Sequence, residues 1–158
     1  MLVLKYLQDG NILASPDNPD NYAAIFRLRW EILRKDWGLP LGSEQDDLEQ
    51  TAIHRMISGP ERNSPALACG RIHQVFDHTA QIRYMAVAAH KQGKGYGSEI
   101  LKSLEDAAEE LKIRQLYLHA REPAIEFYLR AGYTTEHETE PFLGIRHFRM
   151  SKLLVHQK

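Results

Sequence analysis

The stretch that most limits what this chain can fold into is Lys91-Gln92-Gly93-Lys94-Gly95-Tyr96-Gly97-Ser98. Three glycines alternate with longer side chains. A β-like run, Ile82 to Val87, precedes the loop. After it, Ile100, Leu101, Leu104, Ala107, Ala108 and Leu111 recur at the helical period, with Lys102, Ser103, Glu105, Asp106, Glu109, Glu110 and Lys112 between them. This spacing predicts a helix with one buried side that starts inside the glycine loop and ends near Ile113. Strand, glycine turn and helix N-terminus in that order make an anion cradle. Glycine lets the backbone turn tightly and approach a ligand, the first helical N–H groups lack an internal acceptor, and the helix dipole favours negative charge there.

Two phosphate-binding classes are excluded by spacing. The loop does not read G-x-G-x-x-G and no acidic residue of the ribose-binding kind follows a second strand, which argues against a dinucleotide fold. No G-x-x-x-x-G-K-[ST] occurs either. The pattern present is Gln92-x-x-Gly95-x-Gly97, preceded by Tyr84-Met85-Ala86-Val87. Downstream comes Ala124-Ile125-Glu126-Phe127-Tyr128-Leu129-Arg130-Ala131-Gly132-Tyr133. The first segment resembles the Q/R-x-x-G-x-G/A motif of the GNAT superfamily of N-acetyltransferases, and the second resembles that superfamily's A-x-x-F-Y-x-x-x-G-F/Y. Gly144-Ile145-Arg146-His147, with the first helix and its acidic follow-on, is similar to the ElaA-type subgroup.

The rest of the chain is read from periodicity and turn chemistry. Leu2–Leu7 is a first strand, and 8–21 is a polar connection. A helix runs from about Ala23 to Lys35, capped near Asp20 or Asn21, with Arg27, Arg29, Arg34 and Lys35 as a basic edge that reads as a solvated face. Thr51–Ile57, Ala66–Phe76 and Gln81–Val87 are strands joined by short polar turns, hence an antiparallel meander. Arg114–His119, a short helix from Glu122-Pro123 to Gly132, and strands Tyr133–Glu138 and Gly144–Leu154 around a loop holding Pro141 complete the order. The expected fold is a single α/β domain over residues 1–158. The resemblance adds a mixed, mostly antiparallel sheet splayed at an acetyl-CoA cleft and flanked by helices.

Composition bounds the function. The formal net charge of −1 offers no global field for nucleic acid or anionic membrane. The lone Cys69, in an apolar run, rules out an internal disulfide and a cysteine zinc cluster, and reads as a buried small hydrophobe. No apolar run reaches membrane-spanning length and no signal-peptide pattern opens the chain, so a cytoplasmic protein is the default.

The resemblance implies acetyl-CoA as acyl donor and a primary amine, small-molecule or peptide, as acceptor. It places Gln92, Gly93, Lys94, Gly95, Tyr96, Gly97 and Ser98 around the diphosphate, with Lys91 adding charge. Met85, Ala86 and Val87 would face the pantetheine, and an N–H near Val87 would stabilise the thioester oxyanion. Gln92 stands where arginine is commoner and cannot ion-pair. Arg121 replaces an asparagine that many members carry, which frees it to reach a phosphate or an acidic acceptor. Tyr128 matches the tyrosine that protonates the departing thiolate. The general base is open among His147, Asp47, Glu44, Asp46, His54, His73, His119 and a water relay. The loop 43–49, with four carboxylates, is either solvated or borders a cationic acceptor. Dimers are common in the superfamily, and Ile145–Leu154 is the strand that would pair across such an interface. The rival to an enzyme is an acyl-CoA sensor that binds without turnover.

Overall fold

The computed structural model describes residues 1–154. One sheet of eight strands carries β1 (Leu2–Tyr6), β2 (Ile12–Ser15), β3 (Ile53–Ser58), β4 (Ala66–Phe76), β5 (Thr79–Val87), β6 (Gln115–Arg121), β7 (Thr134–Phe142) and β8 (Ile145–Leu153). Its order is β1-β2-β3-β4-β5-β6-β8-β7, so it is open, with β1 and β7 at the edges. Helices α1 (Pro19–Leu33), α2 (Tyr96–Glu110) and α3 (Ile125–Arg130) flank it. The sheet is mixed: β5 pairs parallel with β6, joining Thr79, Ala80 and Gln81 to Gln115, Leu116 and Tyr117, while β1–β2, β2–β3, β6–β8 and β7–β8 are antiparallel. Two compact units divide the chain. The first is Met1–Arg71 with Tyr84–Leu104, and the second is Ile72–Arg83 with Glu105–Lys158.

In the first unit, Ile25 and Leu28 of α1 pack on Ile12, Ala14, Met56, Cys69 and Ala86 of the sheet. α1 begins earlier than its apolar period suggests. Pro19 occupies the first turn, where no N–H is needed, and the Asn18 side chain accepts from the Asn21 amide at 2.9 Å. β2 was hidden in the polar connection because its Ile12-Leu13-Ala14 is buried throughout and shows no alternation. Gly70 lets β4 and α2 approach closely: a Cβ there would sit 2.5 Å from Met85 Sδ and 2.7 Å from Ile100 Cγ2. At the end of α2, Lys112 adopts a left-handed φ of 62° and the Ile113 amide returns to the Ala108 carbonyl at 3.0 Å. Leu111 is therefore turned out, 54% exposed, and Ile113 takes the buried place.

In the second unit, Leu116, Leu118, Ala120, Tyr133 and Met150 are buried. α3 stops at Gly132, φ 94°, where the Tyr133 amide bonds the Tyr128 carbonyl at 3.0 Å. Pro141 lies inside β7 rather than in a loop, which an edge strand tolerates because its outer N–H groups have no ladder partner. β8 pairs with β6 on one side and β7 on the other, so the strand expected to pair across a dimer interface has both hydrogen-bonding edges occupied.

Candidate functional site

The glycine loop lies where the pattern places it, between β5 and α2. After the last β5 residue a single 3-10 turn, Ala89–Lys91, leads into it. The Gln92 amide Nε2 donates to the Val87 carbonyl at 3.1 Å, so this side chain ties the loop to the strand. Gly93 and Gly95 have φ of 78° and 85°, which only glycine adopts without strain, and an added Cβ at either would meet nothing within 4 Å. The helix ladder starts with the Glu99 amide on the Gly95 carbonyl at 3.1 Å. Among the described residues, the amides from Gly95 to Ser98 donate to no protein acceptor. These are the unsatisfied N–H groups of a helix N-terminus, and Lys91 and Lys94 stand beside them. Met85, Ala86 and Val87 lie beyond Gln81, the last β5 residue in the register with β6.

The acidic loop is only partly solvated. Glu44 and Glu49 are 2% and 9% exposed, and α1's basic edge is a solvated face only in part, with Arg27 and Lys35 exposed but Arg29 and Arg34 buried. Arg29 Nη1 donates to Glu49 Oε2 at 3.0 Å and Nη2 lies 3.3 Å from His54 Nδ1. Arg71 grips Asp46 through both terminal nitrogens, at 2.7 and 2.9 Å, and reaches Glu49 Oε1 at 3.0 Å. The two guanidinium groups stack on Tyr84, at 4.3 Å for Arg29 and 4.9 Å for Arg71. Tyr84 itself has a left-handed φ of 58° in mid-strand. A bulky residue in that conformation is costly and needs surrounding contacts to hold it. Asp46 and Glu49 thus neutralise arginines of the fold, the buried Glu44 carboxylate accepts from the Gly42 amide at 3.1 Å, and Asp47 is the exposed carboxylate of the loop.

This network also explains His54. Nε2 lies 2.8 Å from the Glu49 carbonyl and Nδ1 faces a guanidinium, so the ring is a neutral tautomer with both nitrogens engaged. Burial, with Arg29 nearby, lowers its pKa. It is not available as a general base. Cys69 is buried with its thiol pushed up to about 11 by burial, an inert side chain.

In the second unit, Arg121 at the end of β6 stands opposite His147 of β8 in the strand register. His147 is buried, and Nδ1 lies 2.9 Å from the Ile145 carbonyl. The donor must be the ring nitrogen, which leaves the neutral ring's lone pair on Nε2. Tyr128 of α3 is 7% exposed, edge-on to Phe127 at 4.9 Å and to Tyr133 at 5.8 Å. Burial alone raises its pKa, so the phenol keeps its proton. Among the described residues its hydroxyl has no hydrogen-bond partner. His119 is exposed, its pKa lowered by partial burial and by Arg149. His156 lies outside the described residues.

Residues 22–133 match the acetyltransferase (GNAT) family. The chain belongs to that family. It is 29% identical over 137 residues to YjcF of Bacillus subtilis (strain 168), an N-acetyltransferase described as uncharacterized, covering 85% of this chain and 94% of that one. Among solved structures, the fold is shared with Escherichia coli ElaA, at TM-score 0.72 and 20% identity over 89% of this chain and 97% of that one. It is also shared with an aminoglycoside 6'-N-acetyltransferase complexed with coenzyme A, at TM-score 0.75 and 12% identity over 93% and 99%. No helix among the described residues is long and apolar enough to cross a membrane.

Proposed function

We propose that this GNAT protein transfers the acetyl group of acetyl-CoA directly to a primary amine. The observation that carries the reading is the run of backbone amides from Gly95 to Ser98 that donate to no protein acceptor, in a loop opened by two left-handed glycines at the head of a 15-residue helix. A diphosphate supplies the acceptors such amides need, and a solved structure of the same fold holds coenzyme A. In this reading Gln92 positions the loop through its bond to Val87, and Met85, Ala86 and Val87 offer strand amides to the pantetheine. An N–H near Val87 faces the thioester oxygen, and Arg121 takes a phosphate or an acidic group of the acceptor.

The chemistry needs two proton movements. A base removes a proton from the ammonium form of the acceptor. The free amine then attacks the thioester carbonyl, the C–S bond breaks, the thiolate takes the Tyr128 proton, and the proton shed by the new amide nitrogen returns to the tyrosinate. Burial keeps the Tyr128 phenol protonated until the thiolate forms, and because the same burial makes it a weaker acid, the transfer depends on the thiolate being equally desolvated and therefore more basic than in water. For the first task His147 offers the Nε2 lone pair and Asp47 an exposed carboxylate.

The test is thiol release from acetyl-CoA across a panel of amines. Acceptor-dependent release supports the reading, and Tyr128→Phe then lowers turnover by about 100-fold or more while acetyl-CoA affinity changes less than about two-fold. Unchanged turnover removes Tyr128 from the mechanism. Tight CoA binding without release on a broad panel identifies a sensor instead.

A further inference from the structure

Gly93 and Gly95 face open space, so the glycine loop has no packing of its own at those positions. What holds it in shape is found at its two ends. The front end is the Gln92 bond to the Val87 carbonyl. The rear end is Tyr96, the first residue of α2 and only 4% exposed. Its hydroxyl donates to the Asp9 carboxylate and accepts from Asn11 Nδ2 at 2.6 Å. Both partners sit on the turn between β1 and β2. That turn is closed by the Leu7 amide on the Asn11 carbonyl at 2.9 Å and by the Asn11 amide on Asp9 Oδ1 at 3.0 Å. One carboxylate therefore organises its own turn and fastens the head of α2. A second tie runs beside it, with Lys5 Nζ 3.0 Å from both oxygens of Glu99 in the first turn of α2.

We propose that Asp9, acting through the Tyr96 hydroxyl, is a positioning residue for the diphosphate loop. It touches no ligand. It holds the first turn of α2 so that the amides of residues 93–98 already converge before a diphosphate arrives. This inference rests on the acyl-CoA reading above. Its energetic logic is preorganisation: a loop with two unpacked glycines loses much conformational entropy when ordered, and ordering it in advance moves that cost from binding to folding. Removing the latch therefore weakens cofactor binding rather than the chemical step. The tether is not visible in the family motif, where the position of Tyr96 is variable, because its partners lie more than 80 residues away in sequence.

The experiment compares wild type, Tyr96→Phe, Asp9→Ala and the double variant. CoA affinity is read by calorimetry, and pantetheine affinity by competition. Backbone amide exchange of residues 93–98 is read in the free protein. The latch predicts that each single variant weakens CoA at least about five-fold, that the double variant is no weaker than Tyr96→Phe, and that pantetheine, which lacks the diphosphate, binds all four alike. It also predicts faster exchange confined to the loop and the first turn of α2. Equal CoA affinity in wild type and Asp9→Ala overturns the latch and leaves the acyl-CoA reading standing. Absence of CoA binding by wild type overturns that reading, while the exchange data still report on the latch. Should Tyr96→Phe unfold, Asp9→Ala at an exposed turn decides alone. Equal losses for CoA and pantetheine reveal general loosening and also overturn the proposal.

Discussion

Burial sets the state of individual side chains here more than charge counting does. Glu49 and His54 are the case with the sharpest consequence. Burial pushes the Glu49 carboxyl up, but the Arg29 charge, the Asp46 amide and the two guanidinium hydrogen bonds more than reverse it, so it titrates below the ordinary carboxylate range. Its contribution to stability is present above the unfolded value, about 4.3, and is lost as pH falls through the folded one. The His54 pKa is lowered, chiefly by burial. The unfolded chain then takes up a proton near pH 6.5 that the folded chain refuses, so stability is full above about 6.5 and declines as pH falls below it. Thermal unfolding between pH 7.5 and 5 is expected to show this decline, and His54→Gln to flatten part of it. His119→Gln, at an exposed position whose pKa is also lowered, serves as the control with the smaller change. An unaltered slope in His54→Gln would mean that the ring is protonated inside the network.

At the level of strands and helices, the close approach of β4 to α2 rests on one missing methyl. An alanine Cβ at Gly70 would press on Met85 Sδ, Ile100 Cγ2 and Leu104 Cδ1 at 2.5, 2.7 and 3.0 Å. Met85 can swing away, but Ile100 and Leu104 are fully packed on the buried side of α2. Gly70→Ala is expected to cost about 1–3 kcal/mol, the usual result of overpacking, read as a lower denaturant midpoint at constant slope. No change in midpoint would mean that the helix slides freely on the strand. The stripe of α2 was legible because a long amphipathic period leaves few alternatives, and the glycine loop because its spacing is joined to that helix. β4 was legible from the apolar run Ala66–Cys69 and the polar turns on either side of the strand. Short β2 was not, since four buried residues carry no period. The arginine network was not legible either. Arg29 and Glu49 are 20 residues apart and Arg71 and Asp46 are 25 apart, and a basic helix edge followed by an acidic loop looks the same in sequence whether the two meet in the interior or face water. Pattern analysis sees spacing within one element, and these pairings are made between elements. The Tyr96 bond to Asp9 escaped for the same reason.

For the molecule as a whole, a ligand that binds only the folded chain must raise its unfolding temperature. At 100-fold excess over its dissociation constant, CoA should add about 2.7 kcal/mol, roughly 5–11 °C for a chain of this size. The formal net charge is −1, so a diphosphate gains little from the overall field and depends on the local amides and on Lys91 and Lys94. That separates two effects in one variant. Gly95→Ala places a Cβ where no protein atom lies within 4 Å, at a φ of 85°. The conformational strain should lower the free protein's stability by about 1 kcal/mol, within a few degrees of wild type. The same Cβ occupies the space beside the unpaired amides, so the rise in unfolding temperature with CoA should be largely abolished. A surface lysine elsewhere, such as Lys102 changed to alanine, should leave the rise intact. If Gly95→Ala were stabilised by CoA as much as wild type, the diphosphate would have to bind away from residues 93–98. The loop would then be a turn required by the chain path alone.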